Sequence, residues 1–105
     1  MPFEVQFVVD AEEDLDRIVP FHRGQILDAI DLHLSHTPEQ VRRARIKRLR
    51  SVRSPAYRLR VGDYRVFYDV DGSEQMVTVL RVLTKEQSVS YLGGLSDEES
   101  GAGEA

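Results

Sequence analysis

From Ala56 to Leu83 the chain reads AYRLRVGDYRVFYDVDGSEQMVTVLRVL, and two tight-turn signals, Gly62-Asp63 and Asp71-Gly72, cut it into three short runs. In the first two runs apolar residues fall at every second position, the period of a half-buried strand, and the third, Gln75 to Leu83, is rich in Val. Asp-Gly between such runs is a strong hairpin signal, and strands joined by short turns must be antiparallel. The stretch is therefore expected to form a three-stranded antiparallel meander. A sheet of that size needs an apolar cover on one face, and the residues before it have to supply that cover.

They are suited to it. In PFEVQFVV, Phe3, Val5 and Phe7 alternate with Glu4 and Gln6, which predicts a leading strand. Asp10 is placed as an N-cap, with Glu13 at capping-box spacing, ahead of a short helix whose apolar side is Leu15, Ile18 and Val19. Pro20 ends that helix and opens the next, in which Ile26, Leu27, Ile30 and Leu34 recur at helical spacing. Thr37-Pro38-Glu39-Gln40 has the form of a further helix start, so VRRARIKRLRSVRS, up to Pro55, is expected to be a basic helical segment. A strand, two helices and then a meander predict an α+β fold with the helices on one sheet face.

With 105 residues the chain is expected to be one domain, spanning 1–95. The last ten residues, SDEESGAGEA, are rich in Gly, Ser, Ala and acids and predict a disordered acidic tail over 96–105. There is no cysteine, which removes disulfides and thiolate metal sites and fits a reducing cytoplasm. His33 and His36 lie three apart near a helix end with no completing ligand, so no metal or cofactor is expected. The start MPFEVQFVVDAEED lacks the basic and apolar segments of a signal peptide, and no apolar run approaches the roughly 20 residues a membrane span needs, so a cytoplasmic protein is expected.

The net charge of −4 conceals a segregation. Nine acids and two bases give residues 1–41 a net −7; ten bases and one acid give residues 42–65 a net +9; eight acids and two bases give residues 66–105 a net −6. The central block is either a polyanion site or a solvated basic face that pairs with the acidic N-terminal half. Strand alternation bears on the choice. Tyr57, Leu59 and Val61 share one face of the first hairpin strand, so Arg58 and Arg60 share the other, and Arg65 reaches the same face from across the turn. Converging guanidinium groups repel one another, and a polyanionic ligand or an acidic partner segment relieves that repulsion.

KRLRS, YRLRVGDYRVFYDVDG and VTVLRV, together with the order of elements over residues 1–92, resemble the RelE/ParE superfamily of bacterial and archaeal toxins. The resemblance implies a RelE-like fold of the microbial ribonuclease type, and a toxin of a type II toxin–antitoxin system held by a cognate antitoxin in a hetero-oligomer. In the RelE branch it implies a metal-independent endoribonuclease that enters the ribosome and cuts mRNA. The 2′-hydroxyl attacks its own phosphorus, which calls for a base, cations for the developing charge and an acid for the leaving oxygen. The ParE branch acts instead on DNA gyrase without cutting RNA. A third possibility is an inactive member that only binds antitoxin.

Residue by residue, the family's basic positions on the first hairpin strand fall here on Arg58 and Arg60, and its arginine after the turn falls on Arg65. Its basic residue after the last strand and the tyrosine six positions later fall on Lys85 and Tyr91, within LTKEQSVSYL. The resemblance implies that Arg65 and Lys85 stabilise the phosphate and that Tyr91 stacks on or orients the nucleotide. It also implies an RNA-binding surface for mRNA and rRNA that adds Arg45, Lys47, Arg48, Arg50 and Arg53 to Arg58 and Arg60. Many members end this motif with an HRxxVY-like run, where this chain has KEQSVSY, and arginine is too strongly basic to serve as a general base.

Overall fold

The computed structural model describes residues 2–41, 45–50 and 52–104, with side chains as far as Leu95 in the last helix. Arg42, Arg43 and Ala105 lie outside the described residues, as do the side chains of the expected acidic tail. The elements run β1 (Glu4–Phe7), α1 (Val9–Asp16), α2 (Pro20–Leu34), β2 (Ile46–Arg48), β3 (Tyr57–Val61), β4 (Tyr64–Asp71), β5 (Met76–Thr84) and α3 (Lys85–Glu104).

The meander forms as its turns require, and two further strands extend it into a sheet of order β1-β5-β4-β3-β2. β1 lies parallel to β5, with Val5 opposite Val77, and β2 lies antiparallel to β3, with Ile46 opposite Leu59. α1 and α2 cover one face. Ala11, Leu15, Ile26, Ile30 and Leu34 bury against Leu59, Val66, Tyr68, Val77, Val79 and Val82. Each such side chain contributes about 1.5–3 kcal/mol when fully buried, so this layer dominates the stability. Val8, without a side-chain cap bond, precedes α1 where Asp10 was expected; Asp10 falls inside the first turn, where its charge still suits the helix N-terminus.

Residues 46–48 are strand rather than helix. In a helix Lys47, Arg50 and Arg53 would be i,i+3 neighbours, and so would Arg45 and Arg48, which sets like charges side by side. As an edge strand the segment buries Ile46 against Leu59 and spreads its bases over two faces. The expected helix start at Thr37-Pro38 is a turn whose Pro38 carbonyl accepts the Tyr68 hydroxyl at 2.6 Å.

α3 was not foreseen. Thr84 and Gln87 form a capping box at its start: the Gln87 N–H donates to Thr84 Oγ1 at 3.1 Å, and the Thr84 N–H donates to Gln87 Oε1 at 2.9 Å. α3 packs on the face opposite α1 and α2. There Tyr91, Leu92 and Leu95 meet a second, smaller cluster of Leu49, Val52, Phe67 and Leu83.

A bulge in β5 reverses the alternation. Phe67 faces Arg81 and Tyr68 faces Val79, so Leu80 is the extra residue. Before it, odd-numbered Val77 and Val79 point into the main core; after it, even-numbered Val82 does, and Arg81 turns to the second face.

Candidate functional site

The second face carries two lateral rows of side chains. One runs Lys47, Arg58, Phe67, Arg81 across β2, β3, β4 and β5. The next, toward the β3–β4 turn, sets Arg60 opposite Arg65, with Leu83 on the far side of Arg65. Directly paired residues on one face have Cβ atoms about 5 Å apart, so these cations are immediate neighbours.

The arginines differ in setting. Arg60 is exposed, Arg58 is half-buried, and Arg65 is only 9% exposed. Arg65 is fixed by Nη1, which donates to the carbonyls of Gly62 at 3.0 Å and Tyr64 at 2.9 Å. Gly62 has φ +56°, a left-handed conformation that glycine adopts without strain, and this tight turn aims its carbonyl at the guanidinium. Burial, and then the neighbouring arginines, lower the affinity of Arg58 and Arg65 for their protons, although both stay charged. Arg58 Nε is buried without a hydrogen-bond partner. Asp14 is ion-paired with Arg17 and Arg81, and among the described residues no ion pair involves Arg58, Arg60 or Arg65.

Lys85 begins α3 at the same end of the sheet as Arg65. Its N–H donates to the Asp63 carbonyl at 2.8 Å, one residue along the turn from the carbonyl that Arg65 holds. Tyr91 lies further along α3, half-buried over Phe67 with ring centroids 5.1 Å apart. Burial raises its phenol above the ordinary value, and the Arg81 guanidinium, 5.6 Å from the ring centroid, acts in the opposite direction. Arg58, Arg60, Arg65 and Tyr91 are thus brought to one face, with Lys85 at its margin.

The outlying basic residues divide. Lys47 joins the row beside Arg58. Arg48 is directed elsewhere: its guanidinium lies 5.2 Å from the Tyr57 ring centroid and donates to the carbonyls of Leu49 and Ala56. Arg45 is exposed, and its carbonyl accepts the Arg60 N–H at 2.7 Å; Arg50 and Arg53 are exposed on the segment that follows β2. That segment is anchored by Asp69 on β4, which accepts the Ala56 N–H at 2.7 Å and the Ser54 hydroxyl.

Arg81 was missed from sequence. Strict alternation groups it with Val77 and Val79 on the core face, and only the bulge at Leu80 brings it beside Tyr91. Among the described residues no helix is long and apolar enough to cross a membrane.

Residues 5–89 match the family model described as ParE toxin of type II toxin-antitoxin system, parDE. No curated protein matches. Among solved structures, the toxin–antitoxin complex RelBE2 from Mycobacterium tuberculosis is similar at 30% identity and TM-score 0.68, over 80% of this chain and 99% of that one. The archaeal RelE–RelB complex from Pyrococcus horikoshii matches at 22% identity and TM-score 0.58, over 80% and 96%. A double arginine-to-alanine mutant of the Escherichia coli toxin RelE in the free state matches at 18% identity and TM-score 0.61, over 94% and 98%. The last two likenesses are of fold. With the family model spanning most of its length, this chain belongs to the ParE toxin family, within the RelE/ParE superfamily of type II toxins.

Proposed function

We propose that the chain is a ribosome-dependent mRNA endonuclease that inhibits translation, and that a cognate antitoxin silences it by covering the basic face. The observation that carries this reading is the convergence of Arg58, Arg60 and Arg65 on one sheet face beside a half-buried tyrosine. Positive charge held rigidly in place suits a phosphorane better than it suits the free protein. Arg65, tied to the turn carbonyls, is the most rigidly fixed of the three.

In this reading the 2′-oxygen bonds to phosphorus as its proton passes to Tyr91. The bond from phosphorus to the 5′-oxygen breaks, and that oxygen takes a proton from water or a ribosomal group. Arg65 and Lys85 hold the developing charge, and Lys47, Arg58 and Arg60 hold flanking phosphates. Because burial keeps the Tyr91 phenol protonated, the phenolate is scarce at neutral pH and cleavage is slow. The RelBE2 and archaeal relatives are toxin–antitoxin complexes, which supports the antitoxin partner.

Primer extension on a translated message tests the reading. Induced wild type is expected to create new 5′ ends, and Arg65→Ala to lose most of them; growth arrest with unchanged mRNA ends sinks it. The matched ParE family model favours a second reading, a toxin that blocks DNA gyrase. That reading predicts induction of DNA-damage signalling with intact mRNA.

A further inference from the structure

Tyr91 owes its setting to a chain of contacts that begins on the far side of the sheet edge. β1 stops pairing with β5 at Val79, so the next stretch of β5 has an open edge. α1 closes it: Asp14 Oδ2 accepts the Val82 N–H at 2.9 Å. The same carboxylate holds Arg81 in a fork, with Nε to Oδ2 at 2.8 Å and Nη2 to Oδ1 at 3.1 Å. The Asp14 side chain is 5% exposed, and a bidentate pair fixes the guanidinium plane as well as its position. That guanidinium lies against the Tyr91 ring, which also packs on Phe67.

Resting on the nuclease reading, we propose that Arg81, clamped by Asp14, is a positioning residue that fixes Tyr91 on the basic face for contact with RNA. Packing alone does not call for it. A ring over Phe67 is held equally well by an apolar neighbour, whereas a charged one is expensive to place and needs its own carboxylate. The charge does what an apolar neighbour cannot. Burial raises the Tyr91 phenol, as do Asp69 on β4 and Asp14 and Asp10 on α1, while Arg81 lowers it. Arg58 on β3, across Phe67 from Arg81, and Lys47 on β2 beyond it are the other cations of that row. Arg81 therefore raises the share of Tyr91 present as phenolate, the form able to take a proton, at the point where the row of arginines has no acceptor.

The test follows the Tyr91 ring directly in the whole protein, by titrating tyrosine labelled with ¹³C at Cζ and assigning Tyr91 with Tyr91→Phe. Arg81→Met keeps an unbranched side chain and removes the charge; Arg81→Lys keeps the charge. Because Arg81→Met strands a buried carboxylate, Asp14→Asn/Arg81→Met is measured beside it, with Asn still able to accept the Val82 N–H. The Tyr91 titration is expected to move upward in Arg81→Met, upward by less in the double variant, where loss of the Asp14 charge offsets part of the change, and to stay near wild type in Arg81→Lys. Single-turnover cleavage by Arg81→Met should fall about tenfold at neutral pH, with its pH–rate profile displaced upward. An unmoved Tyr91 titration in the folded Met variants overturns the inference, whatever the cleavage assay shows. If the titration moves while wild type leaves mRNA uncut, the nuclease reading falls and the coupling of Arg81 to Tyr91 stands.

Discussion

Arg60 and Arg65 stand directly opposite each other across the β3–β4 hairpin, two like charges in one cross-strand pair. Such a pair is destabilising by up to about 1 kcal/mol. Arg58 adds to it, since Arg60 and Arg65 both lower its hold on its proton after burial has done so. Stability alone would have selected against this arrangement. Arg60→Gln removes the exposed member of the pair, so the free protein should become more stable, by about 0.5 kcal/mol. Its affinity for RNA should fall. Thermal melts and RNA titrations on the same preparation check both halves, and a lower melting temperature contradicts the opposed pair.

Salt dependence separates the bases that face a ligand from those that serve the fold. If the second face binds single-stranded RNA, each lost phosphate contact should lower the slope of log K against log salt by about 0.7. Lys47→Ala and Arg58→Ala should each lower it by that order. Arg48→Ala should leave the slope unchanged and reduce stability instead, because its guanidinium is occupied by the Leu49 and Ala56 carbonyls and by Tyr57. Filter binding of a short RNA between about 50 and 200 mM salt distinguishes the two outcomes.

Local rules reached the meander and the faces of Arg58, Arg60 and Arg65, because a two-residue turn and a period of two determine both without distant information. They did not reach β2, since a short basic run becomes a strand only when a neighbour such as β3 offers an edge. The α3 start was readable: Thr84-Lys85-Glu86-Gln87 has capping-box spacing, but the residues after it are weakly apolar and include Gly93 and Gly94. Arg81 was not readable, because a bulge leaves no mark in a run of valines and leucines, and one extra residue transfers every later side chain to the other face.

Folding should make the protein sensitive to alkali through Tyr68. Its hydroxyl is buried and donates to the Pro38 carbonyl, and burial, followed by the nearby Tyr57 and Glu39, raises its phenol well above the ordinary value. In the unfolded chain a tyrosine ionises near pH 10. Above that pH the unfolded state gives up a proton that the folded state keeps, so stability is full below about pH 10 and declines as pH rises further. Tyr91 is raised in the same direction and adds to the decline. Tyr68→Phe should cost about 1 kcal/mol at neutral pH by leaving the Pro38 carbonyl unpaired. Its loss of stability above pH 10 should be shallower than that of wild type, as urea midpoints at pH 8 and about pH 11 would show. Parallel declines in the two proteins would remove Tyr68 from the account.

The bulge itself can be tested by deleting Leu80. Deletion restores strict alternation without moving any later face: with Val77 and Val79 kept in the core, Arg81 takes the next position, on the second face, and Val82 stays in the core. The variant loses the half-buried Leu80 side chain and one residue of backbone, at a cost of about 1–2 kcal/mol. Leu80→Ala keeps the bulge and loses part of the same half-buried side chain, so it should cost a similar amount, about 1 kcal/mol. Both variants are therefore expected to stay native, with Tyr91 still beside Arg81. Near-ultraviolet circular dichroism and urea unfolding compare the two. An unfolded or molten deletion variant beside a native Leu80→Ala would mean that Leu80 is not the extra residue of β5.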